Sequence, residues 1–274
     1  MISARAALML ITERLAAAGL EEPRREARIL LAAAEGVSAA GLLALNEVDE
    51  ANFAPLLQRR EAREPMAYIL GRREFWGLDF AVSPATLIPR PDSETLIEAV
   101  LAAGVKPRTV LDLGTGTGCL LLAALHEFPQ AFGVGVDLSP DAAALARANA
   151  AALGMAERAV FLAGNWDAAL AQKFDLVLSN PPYIEAADVP QLMPEVARYE
   201  PLSALAGGAD GLDAYRAIIA ALPRLLPPDG LAVLELGAGQ AISVARLAVE
   251  QKFSCSTRRD LDGIERAALL TRCK

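Results

Sequence analysis

The sequence predicts an α/β fold: a parallel, seven-stranded sheet covered by helices on both faces, preceded by a small all-helical domain. Three observations carry this. Residues 3–63 show helical periodicity with no strand pattern, and from residue 109 onward short apolar runs alternate with helical stretches. A glycine-rich turn, Gly114-Thr115-Gly116-Thr117-Gly118, directly follows the first of those apolar runs.

In the helical part, Leu8, Ile11 and Leu15, then Ala27, Leu30, Leu31 and Ala34, recur at helical spacing. Pro23 stands where a helix begins, and Gly19 and Gly36 where helices end. Asp49 or Asn52 caps a further helix through Leu56 and Leu57. Between residues 73 and 82, Phe75, Trp76, Leu78, Phe80 and Val82 alternate partially and are broken by Gly77, the pattern of a short hairpin or connector. The expected division is a helical domain at 1–72, a hairpin or linker at 73–86 and an α/β domain at 87–274.

The α/β part opens on a loop with two prolines at 87–94 and a helix at 95–103. Strands are expected at 109–113, 132–137, 159–162 and 174–179, with helices through residue 125 and from 140 to about 153. A polar, proline-rich excursion at 184–209 precedes a helix at 212–226. Strands at 231–236, 253–258 and 266–271, with a helix from Ala241, complete seven. Buried on both faces, such strands read as apolar runs.

Composition narrows the chemistry. Hydrophobic residues make up 54% of the 274, so a sizeable core is expected and disorder is not. No stretch reaches the ~20 uninterrupted apolar residues of a membrane helix. Residues 1–20, interrupted by Arg5, Glu13 and Arg14, read as an amphipathic helix and not as a signal peptide. Cys119, Cys255 and Cys273 form no CxxC pair, which fits a reducing cytoplasm. A net charge of −8 argues against binding nucleic acid through phosphate neutralisation. His126 is the single histidine, expected on a solvated helix surface; a histidine triad, a multi-histidine metal site and a histidine relay are therefore unavailable.

Asn180-Pro181-Pro182-Tyr183 follows the fourth strand. A planar amide or amino nitrogen is a poor nucleophile because its lone pair is delocalised. The Asn180 carbonyl and the Pro181 main-chain carbonyl are suited to hold its two hydrogens while Tyr183 offers a flat apolar face. Proline stiffens the turn and removes a competing donor. An ordinary proline turn after a strand has the same spelling.

The glycine loop suits a ligand that the backbone approaches closely at a helix N-terminus. A dinucleotide fingerprint needs glycine at 119, where this chain has Cys119, expected to pack beneath the loop. The loop fits S-adenosylmethionine better, and a sulfonium donor needs neither metal nor imidazole. Asp137, ending the second strand, suits two ribose hydroxyls or a cap for the helix near Pro140, and position alone leaves both open. Asn165 and Trp166 follow the third strand, where they can meet an adenine, although core packing is also open to Trp166. Gly237-Ala238-Gly239 imitates a phosphate loop but opens no matching βαβ unit. In an open α/β sheet the strand carboxyl ends hold the ligand, and the first and fourth strands are neighbours there, which places Gly114 beside Asn180.

Together these residues resemble the protein-(glutamine-N5) methyltransferase family of peptide chain release factors. The likeness extends over nearly the whole length: Phe75-Trp76-Gly77-Leu78-Asp79-Phe80, Ile88-Pro89-Arg90-Pro91-Asp92-Ser93-Glu94, Tyr199-Glu200-Pro201, Gly208-Ala209-Asp210-Gly211-Leu212 and Asp260-Leu261-Asp262-Gly263 accompany the loop and the tetrapeptide. The resemblance implies a class I S-adenosylmethionine-dependent methyltransferase with a Rossmann-like sheet. Its substrate would be the glutamine of a Gly-Gly-Gln loop in a release factor, which the helical domain helps to dock. Gly114, Thr115, Gly116, Thr117, Gly118, Asp137, Asn165, Trp166 and Asn180 would bind the methyl donor, and Asn180, Pro181, Pro182 and Tyr183 the glutamine. Family members often carry Thr at Ser93 and Asp at Asn165. Arg90, Asp92 and Glu94 are expected to serve structure. A glutamine methyltransferase of a ribosomal protein and an adenine-N6 nucleic-acid methyltransferase are the alternatives.

Overall fold

The computed structural model describes residues 1–168 and 170–273, which divide into two units. One contains residues 1–71 and 193–199; the other contains 72–192 and the chain from 200 onward.

The first unit is helical. Strand β1 (Ile2–Ser3) leads into α1 (Ala4–Ala17) and α2 (Pro23–Ala34); β2 (Glu47–Val48) pairs antiparallel with β1 before α3 (Glu50–Glu61) and α4 (Met66–Leu70). Asp49, not Asn52, caps α3: its carboxylate accepts from Ala51 N at 3.0 Å, as Ser3 accepts from Ala6 N at 3.2 Å for α1. Pro23 occupies the first turn of α2. Ile11, Leu15, Leu30, Leu31, Phe53 and Leu57 form the core.

Residues 193–199 join this unit through buried charge. Arg60, only 5% exposed, donates to both oxygens of Glu26 and, at 3.1 Å, to Glu195 Oε1. Arg63 donates to Glu195 Oε2 at 2.9 Å, and the Tyr199 hydroxyl to the Ala62 carbonyl at 2.7 Å.

The second unit begins with an antiparallel hairpin, β3 (Arg72–Phe75) and β4 (Leu78–Ala81). Its two-residue turn places both Trp76 (φ +54°) and Gly77 (φ +68°) in the left-handed region, the requirement of a turn that matches strand twist. Then come α5 (Glu94–Ala102), β5 (Thr109–Leu113), α6 (Cys119–Glu127), β6 (Phe132–Asp137), α7 (Pro140–Ala152), β7 (Ala159–Ala163) and β8 (Leu176–Ser179). The segment α8 (Pro194–Tyr199) is the piece that joins the helical unit. It is followed by α9 (Asp213–Leu225), β9 (Leu231–Glu235), α10 (Ala241–Glu250), β10 (Phe253–Arg259) and β11 (Glu265–Arg272).

The sheet order is β10-β11-β9-β8-β5-β6-β7. Six strands share one direction, and β11 departs from the all-parallel expectation by lying antiparallel between β10 and β9. A tight return through Asp260–Gly263 explains this, since a parallel neighbour would need a long crossover. The central strands are buried on both faces. Val110, Leu178 and Val233 pack into one core, and their neighbours Leu111, Val177 and Leu234 into the other, as a period of two requires.

Asn149 on α7, 2% exposed, fastens the hairpin to the glycine loop. It accepts from Ala81 N at 2.9 Å and donates to Ala81 O at 3.1 Å and Thr117 O at 2.9 Å.

Candidate active site

The carboxyl ends of β5, β6, β7 and β8 meet around a cavity of about 150 Å³. Gly114, Thr115, Gly116 and Thr117, with Asp137, Asn165, Trp166, Asn180 and Pro182, all line it. Gly118, Pro181 and Tyr183 do not. Gly118, with φ +82°, instead makes room for packing: a side chain there would stand 3.2 Å from Ala146 and Phe161. Cys119, half-buried, packs against the hydrophobic core and also lines the cavity. His126 is exposed.

β5 and β8 are direct neighbours, and the Ser179 hydroxyl donates to the Leu113 carbonyl at 2.6 Å, pinning the two strand ends together. Gly114 therefore faces the tetrapeptide: a Cβ on it would lie 4.0 Å from Asn180 O and 3.7 Å from the Trp166 ring. The left-handed backbone at Gly114 (φ +74°) and Gly116 (φ +54°) leaves this wall free of side chains.

Asp137 is not the cap of α7, which is Ser139, accepting from Ala142 N at 3.3 Å. Asp137 Oδ2 accepts from Gly116 N at 2.8 Å and Oδ1 from Ser139 N at 2.9 Å. A carboxylate has roughly four acceptor positions, so each oxygen keeps one for a ligand hydroxyl. Beneath the loop, Asp112 accepts from the Thr115 hydroxyl at 2.6 Å, while its Oδ1 has no partner among the described residues. Burial pushes this carboxyl up to about 7, against the pull of the Thr115 hydrogen bond.

Glycines shape the other side of the tetrapeptide. A Cβ on Gly207 would lie 2.7 Å from Pro182 O, and one on Gly211 would lie 2.4 Å from Tyr183 O. Gly237 admits the Tyr183 ring, which a Cβ would approach to 2.9 Å. Gln240 completes the cradle, donating to Tyr183 O at 3.0 Å and accepting from Gly237 N at 3.1 Å. The Gly237-Ala238-Gly239 turn thus lies away from the glycine-loop cavity. With Tyr183 it lines a second cavity of about 390 Å³.

Residues 6–71 match the PrmC N-terminal domain, and residues 91–198 the methyltransferase small domain. The release factor glutamine methyltransferase of Rhodospirillum rubrum is 50% identical over 268 residues, covering 94% of this chain and 82% of that protein. The chain belongs to the release factor glutamine methyltransferase family. That of Bradyrhizobium diazoefficiens is 47% identical over 270 residues, covering 94% and 91%. Among solved structures, a methyltransferase from Pyrococcus furiosus superposes with a TM-score of 0.52 at 18% identity, covering 81% of this chain and all of that one, a likeness of fold alone.

The segments particular to this family have structural work. Glu200, 6% exposed, accepts from Ile88 N at 3.2 Å and Arg90 Nη2 at 2.5 Å, fixing the proline-arginine-proline loop that lines the cavity. Glu94 accepts from Trp76 N at 2.7 Å, and Asp92 pairs with Arg266 at 3.4 Å. Sequence reasoning missed Asp112, Asn149, Gln240 and Glu235. Buried polar residues among apolar runs, as in Val110-Leu111-Asp112-Leu113 and Val233-Leu234-Glu235-Leu236, were the available signal.

Proposed function

We propose that this chain methylates the side-chain amide nitrogen of the glutamine in the Gly-Gly-Gln motif of peptide chain release factors, in the cytoplasm. Its relatives' shared name over nearly the full length supports the substrate. The observation that carries the chemistry is Asn180, which lines the glycine-loop cavity three residues before the Tyr183 that lines the second.

S-adenosyl-L-methionine, when bound, supplies an electrophilic methyl group. The site fits it: Gly114 and Gly116 leave the loop open to close approach, Asp137 keeps acceptor positions, and Trp166 and Asn165 stand where an adenine would be flanked. Asn180 Oδ1 and the Pro181 carbonyl accept the two hydrogens of the glutamine amide and so aim its lone pair. Tyr183 and Pro182 form the apolar wall. The nitrogen releases a proton to water during or after transfer, since the site provides acceptors and no strong base. Orientation and exclusion of water supply the acceleration. The helical unit docks the protein substrate, and no direct nucleic-acid contact is needed.

The test is to incubate the protein with labelled S-adenosylmethionine and, separately, release factor, ribosomal protein and DNA, then to locate the label by mass spectrometry. Label on the release-factor glutamine is expected; label on DNA alone would overturn the reading. Asn180→Ala should lower kcat on the order of 10²–10³-fold, as loss of a preorganised site hydrogen bond does.

A further inference from the structure

Three residues distant in sequence meet behind the tetrapeptide. Asn180 Nδ2 donates to Ser93 Oγ at 3.0 Å, and the Ser93 hydroxyl lies in short contact with Glu235 Oε2. The other oxygen, Glu235 Oε1, accepts from the Tyr183 hydroxyl at 3.1 Å. Ser93 and Glu235 are 2% and 1% exposed. Ser93 stands at the N-terminus of α5, where serine ordinarily caps the helix, yet its side chain makes no capping bond. Its hydroxyl is committed to the site.

The polarity of this chain of bonds follows from chemistry. An ionised carboxylate only accepts, so Ser93 and Tyr183 must both donate to Glu235. The serine oxygen is then left as an acceptor, and only the NH₂ end of the Asn180 amide can satisfy it. The carbonyl end, Oδ1, takes no hydrogen bond among the described residues. We propose that Ser93 and Glu235 are positioning residues that set the orientation of the Asn180 amide, and that Glu235 also orients Tyr183, so that both ends of the acceptor clamp depend on one buried carboxylate. This rests on the reading of Asn180 as the group that holds the glutamine amide.

The environment of Glu235 makes the arrangement sensitive to pH. Burial pushes its carboxyl up to about 7, while the hydrogen bonds from Ser93 and Tyr183 and the charge of Arg266 oppose that and Asp92 adds to it. Tyr215 and Cys119 are the other titratable groups that face it, and burial raises both. A protonated Glu235 can donate to Ser93, whose hydroxyl is then free to turn toward Asn180, and the amide loses its unique orientation.

The test compares Ser93→Ala, Ser93→Thr and Glu235→Gln with the parent. At saturating cofactor, Ser93→Ala should lower kcat at least tenfold with cofactor affinity within twofold, and Ser93→Thr, which keeps the hydroxyl, should restore it. The parent's kcat should fall below an apparent pKa near 7, and Glu235→Gln should lack that acid limb. Side-chain ¹⁵N relaxation of Asn180, which needs no acceptor protein, should show a rigid amide in the parent and Ser93→Thr and a mobile one in Ser93→Ala. Parental kcat or a rigid Asn180 amide in Ser93→Ala, or an acid limb that persists in Glu235→Gln, would overturn the inference. A parent that fails to methylate release factor while the relaxation behaves as expected would reject the proposed substrate and leave the positioning role standing.

Discussion

Asp137 holds the glycine loop with one oxygen and the start of α7 with the other, so it shapes the cavity before any ligand arrives. Asp137→Ala should therefore weaken cofactor binding about 10- to 100-fold, the equivalent of roughly 1–3 kcal/mol for a lost buried acceptor. Titration calorimetry would reject this role if the affinity were unchanged. Gly237 governs the opposite wall. In Gly237→Ala the new methyl would meet Gln240 Oε1 at 2.5 Å and the Tyr183 ring at 2.9 Å, displacing the clamp and not the cofactor. We expect kcat/KM for the acceptor to fall by about tenfold or more, since a ~1 Å misplacement can cost up to 10²-fold. Steady-state kinetics with constant cofactor affinity is the check, and an unaffected kcat/KM would show that the ring has room to spare. At this scale the sequence makes Asn180 and Asp137 readable, because each ends an apolar run. Glu235 is marked only as a polar residue within an apolar run, and its pairing with Ser93 is not readable at all, for that bond spans 142 residues.

Among elements, the hairpin owes its attachment to one side chain on α7. Asn149→Ala would leave Ala81 N and Thr117 O without their partner, at a cost of about 1–3 kcal/mol in stability. Urea unfolding would measure this, and an unchanged midpoint would mean that water replaces the amide. Cofactor affinity should weaken with it, because Thr117 belongs to the loop. The strands themselves were legible because burial on both faces demands continuous apolar runs, and β5, β8 and β9 meet that demand. The antiparallel insertion of β11 was not, since apolar runs carry no sign of direction. Nor was α8, a six-residue helix with no fully buried residue, which is fastened by Glu195 and Tyr199. Such a helix has too narrow an apolar face to announce itself.

Across the whole molecule, buried carboxyls give stability an unusual dependence on pH. Burial pushes Asp112 and Glu235 up to about 7, from ordinary values of 3.8 and 4.5. Between those limits the folded chain holds protons that the unfolded chain has lost, so stability falls as pH rises, at up to about 1.4 kcal/mol per pH unit for each group. Glu195 moves the other way. Burial alone would raise it, but hydrogen bonds from Arg63 and Arg60 lower it on balance, so its contribution is lost only below the ordinary carboxylate range. Urea melts should therefore show a more stable protein at pH 5.5 than at pH 7.5, with a smaller difference in Glu235→Gln. Greater stability at pH 7.5 would contradict the account. The membership of residues 193–199 in the helical unit carries a consequence for inheritance. The chain passes from one unit to the other three times, so the helical unit is not a detachable bead at one end. A recombination event that moved residues 1–71 onto another sheet would leave behind the carboxylate that Arg60 and Arg63 hold. The two units can be exchanged only by crossovers at all three junctions, and they are therefore expected to descend through lineages as a pair.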